Sequence, residues 1–135
     1  MNWDDHFDFF PEPYESIRFK GQRFPIEIVL ESYVDGWAAE KLADYFSYAL
    51  TPDQIAVVIR YYDEQRDTVS AYLARGREVA EWHRQFWTTR SPSEAKEQIM
   101  EWNALYGEQA KREGVPVIDV IRRYEPEPAL AKVAS

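Results

Sequence analysis

Between Ile26 and Tyr62 the chain repeats one pattern three times: apolar residues spaced three and four apart, closed by a turn signal. That spacing lines apolar side chains along one face of a helix, and each face needs a partner to bury against. Three short helices in a row, joined by short turns, read as a compact trihelical unit.

The first run is Ile26, Val29, Leu30, Tyr33, Val34 and Trp37. Pro25 precedes it, where a missing N–H costs little in a first helical turn. Gly36, after Asp35, is the stop. The second run, Ala39, Leu42, Ala43 and Phe46, predicts a helix of about two to three turns. The third has the cleanest start. Leu50 falls at N′, Thr51 at the N-cap, Pro52 at N1, Gln54 at N3 and Ile55 at N4, a capping box and a hydrophobic staple together. Its stripe is Ile55, Val58, Ile59 and Tyr62. Two helices thus flank a turn at 47–50, the helix-turn-helix plan. Ahead of them, 16–20 and 22–24 alternate as a short β-hairpin, with Gly21 free to take a positive φ.

Residues 1–15 mix Trp3, Phe7, Phe9, Phe10 and Tyr14 with acids and two prolines, and predict an extended arm whose aromatics dock. After Glu64 helical spacing continues to Trp87, with a break expected between Gln65 and Thr68 and Asp67 as its cap. Val69, Leu73, Gly76, Ala80, His83 and Trp87 share one broad face, with Val79, Trp82 and Phe86 beside it. Residues 88–90 form a link. Ser91, Pro92 and Glu94 repeat the cap signature and open a helix bearing Ala95, Ile99, Trp102, Tyr106 and Ala110, ended by Gly114. Residues 115–121 read as a short strand or extended arm, and the Pro- and Ala-rich tail from Glu125 as a fraying end. The expected fold class is therefore mainly α: a small helix-turn-helix (trihelical) bundle with a short N-terminal β-hairpin and an additional C-terminal helical region. Its parts would be an acidic aromatic arm at 1–15, a hairpin and helix-turn-helix domain at 16–75, and a helical extension at 76–135.

Composition narrows function. The 135 residues hold no Cys, so thiolate catalysis, thiolate metal sites and disulfides are excluded. A net charge of −8, with no Lys or Arg before Arg18, is the reverse of the basic footprint typical of nucleic-acid binders. No run of ~18 apolar residues predicts a membrane span. The first residues are acidic and aromatic where a signal peptide needs Lys or Arg and then an apolar stretch, so the expected address is the cytoplasm. The only histidines are His6 and His83. Asp4-Asp5-His6-x-Asp8 has metal-ligand residue types, but an acidic solvated tail is the better account. No phosphate loop, nucleophile elbow or zinc motif occurs. The expectation is no cofactor, no metal and no catalysis.

Residues from about Ile17 to Arg75 resemble the bacterial and archaeal domain-of-unknown-function 433 family, grouped with VapB-type antitoxins. Gly21-x-Arg23-x-Pro25, the Val29-Leu30 helix ending at Gly36, Leu42-Ala43-x-x-Phe46, Leu50-Thr51-x-x-x-Ile55 and Tyr61-Tyr62 carry the resemblance. It implies a small helix-turn-helix bundle, often a homodimer, that neutralises a PIN-like ribonuclease and represses its own operon. The lead-in Tyr14-Glu15-Ser16-Ile17 departs from the family pattern, and the region from Trp82 onward lies outside it.

On that reading, Thr51, Asp53, Gln54 and Val57 would meet base edges, with Arg60 and Tyr61 a turn further on. Gln54 could read adenine and Arg60 a guanine or phosphate. The competing reading is that Thr51 and Gln54 only cap the helix. Arg18, Lys20 and Arg23 form the best local basic patch, or an ordinary solvated hairpin. Trp82, Phe86, Trp87, Trp102 and Tyr106 are core aromatics by spacing, or partner anchors by residue type. Arg122 and Arg123 are candidates to meet an acidic toxin site. The reading from another class is a self-associating scaffold that inherits the helix-turn-helix without binding DNA.

Overall fold

The structure is a computed structural model and describes residues 1–11 and 15–129. A 3-10 turn at Trp3–Asp5 leads into strands β1 (Phe7–Phe10) and β2 (Ser16–Phe19). Helices α1 (Ile26–Val34), α2 (Ala39–Tyr45), α3 (Pro52–Glu64), α4 (Arg66–Thr88), α5 (Pro92–Glu113) and α6 (Val117–Tyr124) follow. The chain is mainly helical with a short two-stranded antiparallel hairpin at its N-terminal end, as the pattern predicts. Contacts divide it into two units, Met1–Ala74 and a second beginning at Arg75.

The hairpin uses different strands from those expected. β1 pairs with β2 in the register Phe7↔Phe19 to Phe10↔Ser16. Residues 22–25 supply only a bridge, Arg18↔Pro25, and the Phe19 N–H bond to the Phe24 carbonyl at 3.0 Å. The segment is too short for a ladder and ends in a proline that has no N–H to give. So much of the expected arm is a strand, and Phe7 is wholly buried; Tyr14 lies outside the described residues. Gly21 does take a positive φ of 72°.

In the first unit Phe7, Phe19, Leu30, Leu42, Ile55 and Val69 meet in one apolar core. Each such side chain contributes about 1.5–3 kcal/mol relative to exposure. Pro25 stands at the N-cap of α1 in an extended conformation, one position before the first turn expected for it. Gly36 stops α1 with φ 104°. Val34 is exposed, because the buried sector of this short helix is complete with Ile26, Val29 and Leu30. On α3 it is Tyr61, not Tyr62, that turns inward. Its ring meets Trp3 at 4.9 Å and Phe7 at 5.0 Å, so the hairpin provides a second apolar wall that helix periodicity alone does not reveal. Tyr62 is half-buried against Tyr33 at 5.7 Å. The break after α3 falls at Gln65 as expected, but Asp67 does not cap it; Asp67 sits within the first turn of α4.

Tyr72 ties three elements together. Its hydroxyl donates to the Glu27 carboxylate at 2.7 Å and accepts the Ile17 N–H at 3.0 Å. Burial first, then the Glu27 carboxylate, push this hydroxyl well above the ordinary tyrosine range.

In the second unit Trp82 and Phe86 of α4 pack with Ala95 and Trp102 of α5 and Ile121 of α6. Ala80 and Trp87 are exposed, since the buried sector of α4 follows Trp82 and Phe86. Ser91 and Glu94 form the expected capping box, and Gly114 closes α5 at φ 71°. The short strand or extended arm expected at 115–121 is instead, from Val117 on, the start of α6. Pro116 is its extended N-cap, and Val117, Val120, Ile121 and Tyr124 carry a helical spacing that the β-branched run masks. Nor does the tail fray from Glu125. Its carbonyl accepts Trp82 Nε1 at 2.7 Å and Pro128 is fully buried, while 130–135 lie outside the described residues.

Tyr72→Phe leaves the buried Ile17 N–H without a partner. The opening free energy at the Ile17 amide, read by hydrogen exchange, should fall by about 1–3 kcal/mol. An unchanged exchange rate would remove Tyr72 as the tie.

Candidate functional site

The capped start of α3, with the Gly21 turn beside it, is where the expected DNA-facing residues gather. Thr51 Oγ1 accepts the Gln54 N–H at 3.2 Å, and Gln54 Oε1 accepts the Thr51 N–H at 2.8 Å. The remaining Gln54 amide donates to Gln22 Oε1 at 3.5 Å, and Gln22 Nε2 donates to the Ala49 carbonyl at 3.0 Å. The capping role weighed for Thr51 and Gln54 is therefore the one the structure gives them, and their polar atoms are spent inside the unit. Arg60 pairs with Glu64 at 2.6 Å one turn on. Tyr61 is buried and cannot meet a base edge. Val57 is half-buried and Asp53 is exposed.

The basic hairpin is engaged in the same way. Lys20 pairs with Asp8 at 3.0 Å. Arg18 donates from Nε to Ser16 Oγ at 3.1 Å and stacks over Phe10 at 4.7 Å. Arg23 alone of the three is exposed with no ion pair or hydrogen bond among the described residues. Three cations close in sequence are thus not three free cations.

The aromatic set divides. Trp82, Phe86 and Trp102 are buried inside their own unit, with Trp82 stacked on Phe86 at 5.5 Å, so they are core and not a docking surface. Of the two readings of their spacing and residue type, core packing is the one their burial matches. Tyr106 is half-buried and stacks on Tyr124 at 5.4 Å. Trp87, at 53% exposed, is the member of the set that faces water. Arg123 clasps Glu113 with two bonds of 3.0 and 3.1 Å, which first among its neighbours holds that carboxyl below its usual range. Arg122 pairs with Asp119 at 3.1 Å, and its Nε is buried with no hydrogen-bond partner among the described residues. Burial first, then the Arg122 charge, lower the pKa of His83. The two arginines adjacent in sequence therefore serve different carboxylates.

Two features escape the sequence. Arg90, in the expected link, is 7% exposed and lies over Phe86 at 4.4 Å and Trp102 at 5.5 Å. It donates to the Phe86 carbonyl, Thr89 Oγ1 and Gln98 Oε1 at 3.3–3.4 Å. Its place four residues after Phe86 is the signal that could have marked it. The other is the outward pair of Tyr45, the last residue of α2, and Tyr48 in the turn after it. No helix among the described residues is long and apolar enough to cross a membrane, and no three metal-ligating side chains gather among them. No family model, curated protein or solved structure matches the chain.

Asp8 offers a test of the hairpin. The Gly21 N–H at 2.9 Å, and after it Lys20, hold its carboxyl below 3.8. A depressed folded pKa means that this carboxylate supports the hairpin above the unfolded value and loses that support as pH falls through the folded one. In Lys20→Met the Asp8 titration, followed by carboxyl carbon NMR, should move only part of the way back towards 3.8. A complete return would deny the backbone bond its leading part.

Proposed function

We propose that the chain is a non-catalytic binding protein of the antitoxin type, pairing with a PIN-like ribonuclease. The observation that carries the reading is local. Gly21, Pro25, Leu42, Phe46, Thr51 and Ile55, on which the resemblance to the domain-of-unknown-function 433 family rests, belong to one folded unit, with Gly21 at positive φ and Thr51 capping α3. The chain would act in the cytoplasm as a homodimer. Arg122 and Arg123 would serve the partner by exchanging Asp119 and Glu113 for the nuclease's own metal-holding carboxylates, a charge-assisted exchange in which little is lost.

Operator binding is the weaker half of the proposal. Thr51, Gln54, Arg18, Lys20 and Arg60 already have internal partners, and the net charge is −8. Those same facts favour the second reading, a self-associating scaffold with a helix-turn-helix and no DNA contact.

The test is co-expression with a PIN-like reading frame adjacent to the gene, followed by purification and an RNA-cleavage assay. The proposal expects a retained, silent nuclease, and partial release of activity with Arg122→Ala/Arg123→Ala in a chain whose circular dichroism is unchanged. A nuclease that neither co-purifies nor loses activity would reject it in favour of the scaffold. If duplex DNA from upstream of the gene binds, its affinity should drop steeply with salt and fall further in Lys20→Glu/Arg23→Glu; salt-independent binding would exclude phosphate contact.

A further inference from the structure

We propose that the turn between α2 and α3 carries a docking face for a cationic, lysine- or arginine-rich segment of a partner protein. Tyr45 and Tyr48 are its aromatic seats and Glu40, Asp44 and Asp53 its acidic rim. The inference rests on the reading of the chain as a binding protein.

The face lies wholly within the first unit. Tyr45 is 60% and Tyr48 75% exposed, a large aromatic surface left in water beside a turn that otherwise packs well. The buried Phe46 lies beneath them, meeting Tyr45 at 4.9 Å and Tyr48 at 6.4 Å between ring centroids. Trp37 extends the row, 5.3 Å from Tyr45.

A cation already sits on this row. Lys41 Nζ lies 4.0 Å from the Trp37 ring centroid, without a carboxylate partner among the described residues. The electron-rich ring face attracts an ammonium or guanidinium by its quadrupole, and Tyr offers the same attraction. Lys41 thus displays on Trp37 the contact that a partner's Lys or Arg would make on Tyr45 and Tyr48.

The unpaired charges of α2 and of the first turn of α3, the two helices joined by this turn, select the sign of the partner. Glu40 and Asp44 on α2 and Asp53 in the first turn of α3 are exposed and make no ion pair among the described residues. The other acids of α3, Asp63 and Glu64, are paired with Arg66 and Arg60. With Lys41 counted against them, the three carboxylates still leave this stretch negative, which repels nucleic-acid phosphates, and a second copy of this chain would bring the same sign to the same place. A basic segment meets both the rings and the acids.

The test is fluorescence anisotropy of a fluorescein-labelled oligoarginine peptide titrated with the full chain. The wild type should bind, and Tyr45→Ala/Tyr48→Ala should bind about tenfold more weakly, the loss of two exposed cation–aromatic contacts. Both positions are exposed enough for the variant to fold, which circular dichroism checks. A control, Asp4→Asn/Asp5→Asn, removes two carboxylates away from the face and should change affinity less than about twofold. Equal weakening in both variants would overturn the proposal, reducing the peptide to an ion of the diffuse acidic field. Tighter binding of a labelled oligothymidine, or loss of self-association on removing the tyrosines, would overturn it in favour of nucleic acid or a second copy. A chain that retains its nuclease but ignores the peptide rejects this face and keeps the proposed function.

Discussion

The reciprocal pair of hydrogen bonds between Thr51 and Gln54 fixes where α3 begins, and the first unit depends on that point. A helix turns by about 100° per residue, so a start displaced by one residue would rotate every later side chain out of its place. With the cap where it is, Leu50 and Ile55 close over the first turn and Val58 and Tyr61 face the core. The spare Gln54 amide then reaches Gln22, and Gln22 reaches the Ala49 carbonyl, so the Gly21 turn is fastened to the turn between α2 and α3. Polar groups that could have read a ligand are used to hold the fold.

The second unit solves the same problem with a different filling. Ser91 and Glu94 set the start of α5 by the same reciprocal bonds. The core is then made of flat rings, Trp82 and Phe86 stacked with an interplanar angle of 5° and Trp102 tilted against both. A buried guanidinium, Arg90, completes it. Burial works against the charged form of Arg90, and the ring faces and three oxygen acceptors offset part of that cost.

What could be read from the sequence follows from how local each signal is. The capping boxes at Thr51 and Ser91 and the glycine stop at Gly114 are decided within four or five residues, and all are present. The choice of Tyr61 over Tyr62 is not local, because it depends on Trp3 and Phe7 arriving from the far end of the chain. The β1–β2 pairing is hidden for the same reason: nothing within 7–10 names 16–19 as its partner. α6 was concealed by a β-branched run whose helical spacing is short. For the candidate sites, residue types were legible but their engagement was not. Lys20, Arg60 and Arg123 look like free hooks in sequence and are each paired in space.

A chain of net charge −8 has bound Lys20, Arg60 and Arg66 of its first unit to its own acids, and has left Tyr45 and Tyr48 outward. Cations already bound to the chain's own acids are not available to neutralise phosphates. The most direct measurement is a double-mutant cycle on Thr51→Ala and Gln54→Ala, read as opening free energies at α3 amides by hydrogen exchange. If these two side chains are spent on holding α3, each single change costs about 1 kcal/mol and the pair is coupled by about 0.5 kcal/mol or more. Two small, additive effects would contradict the account and leave both side chains free to meet a ligand.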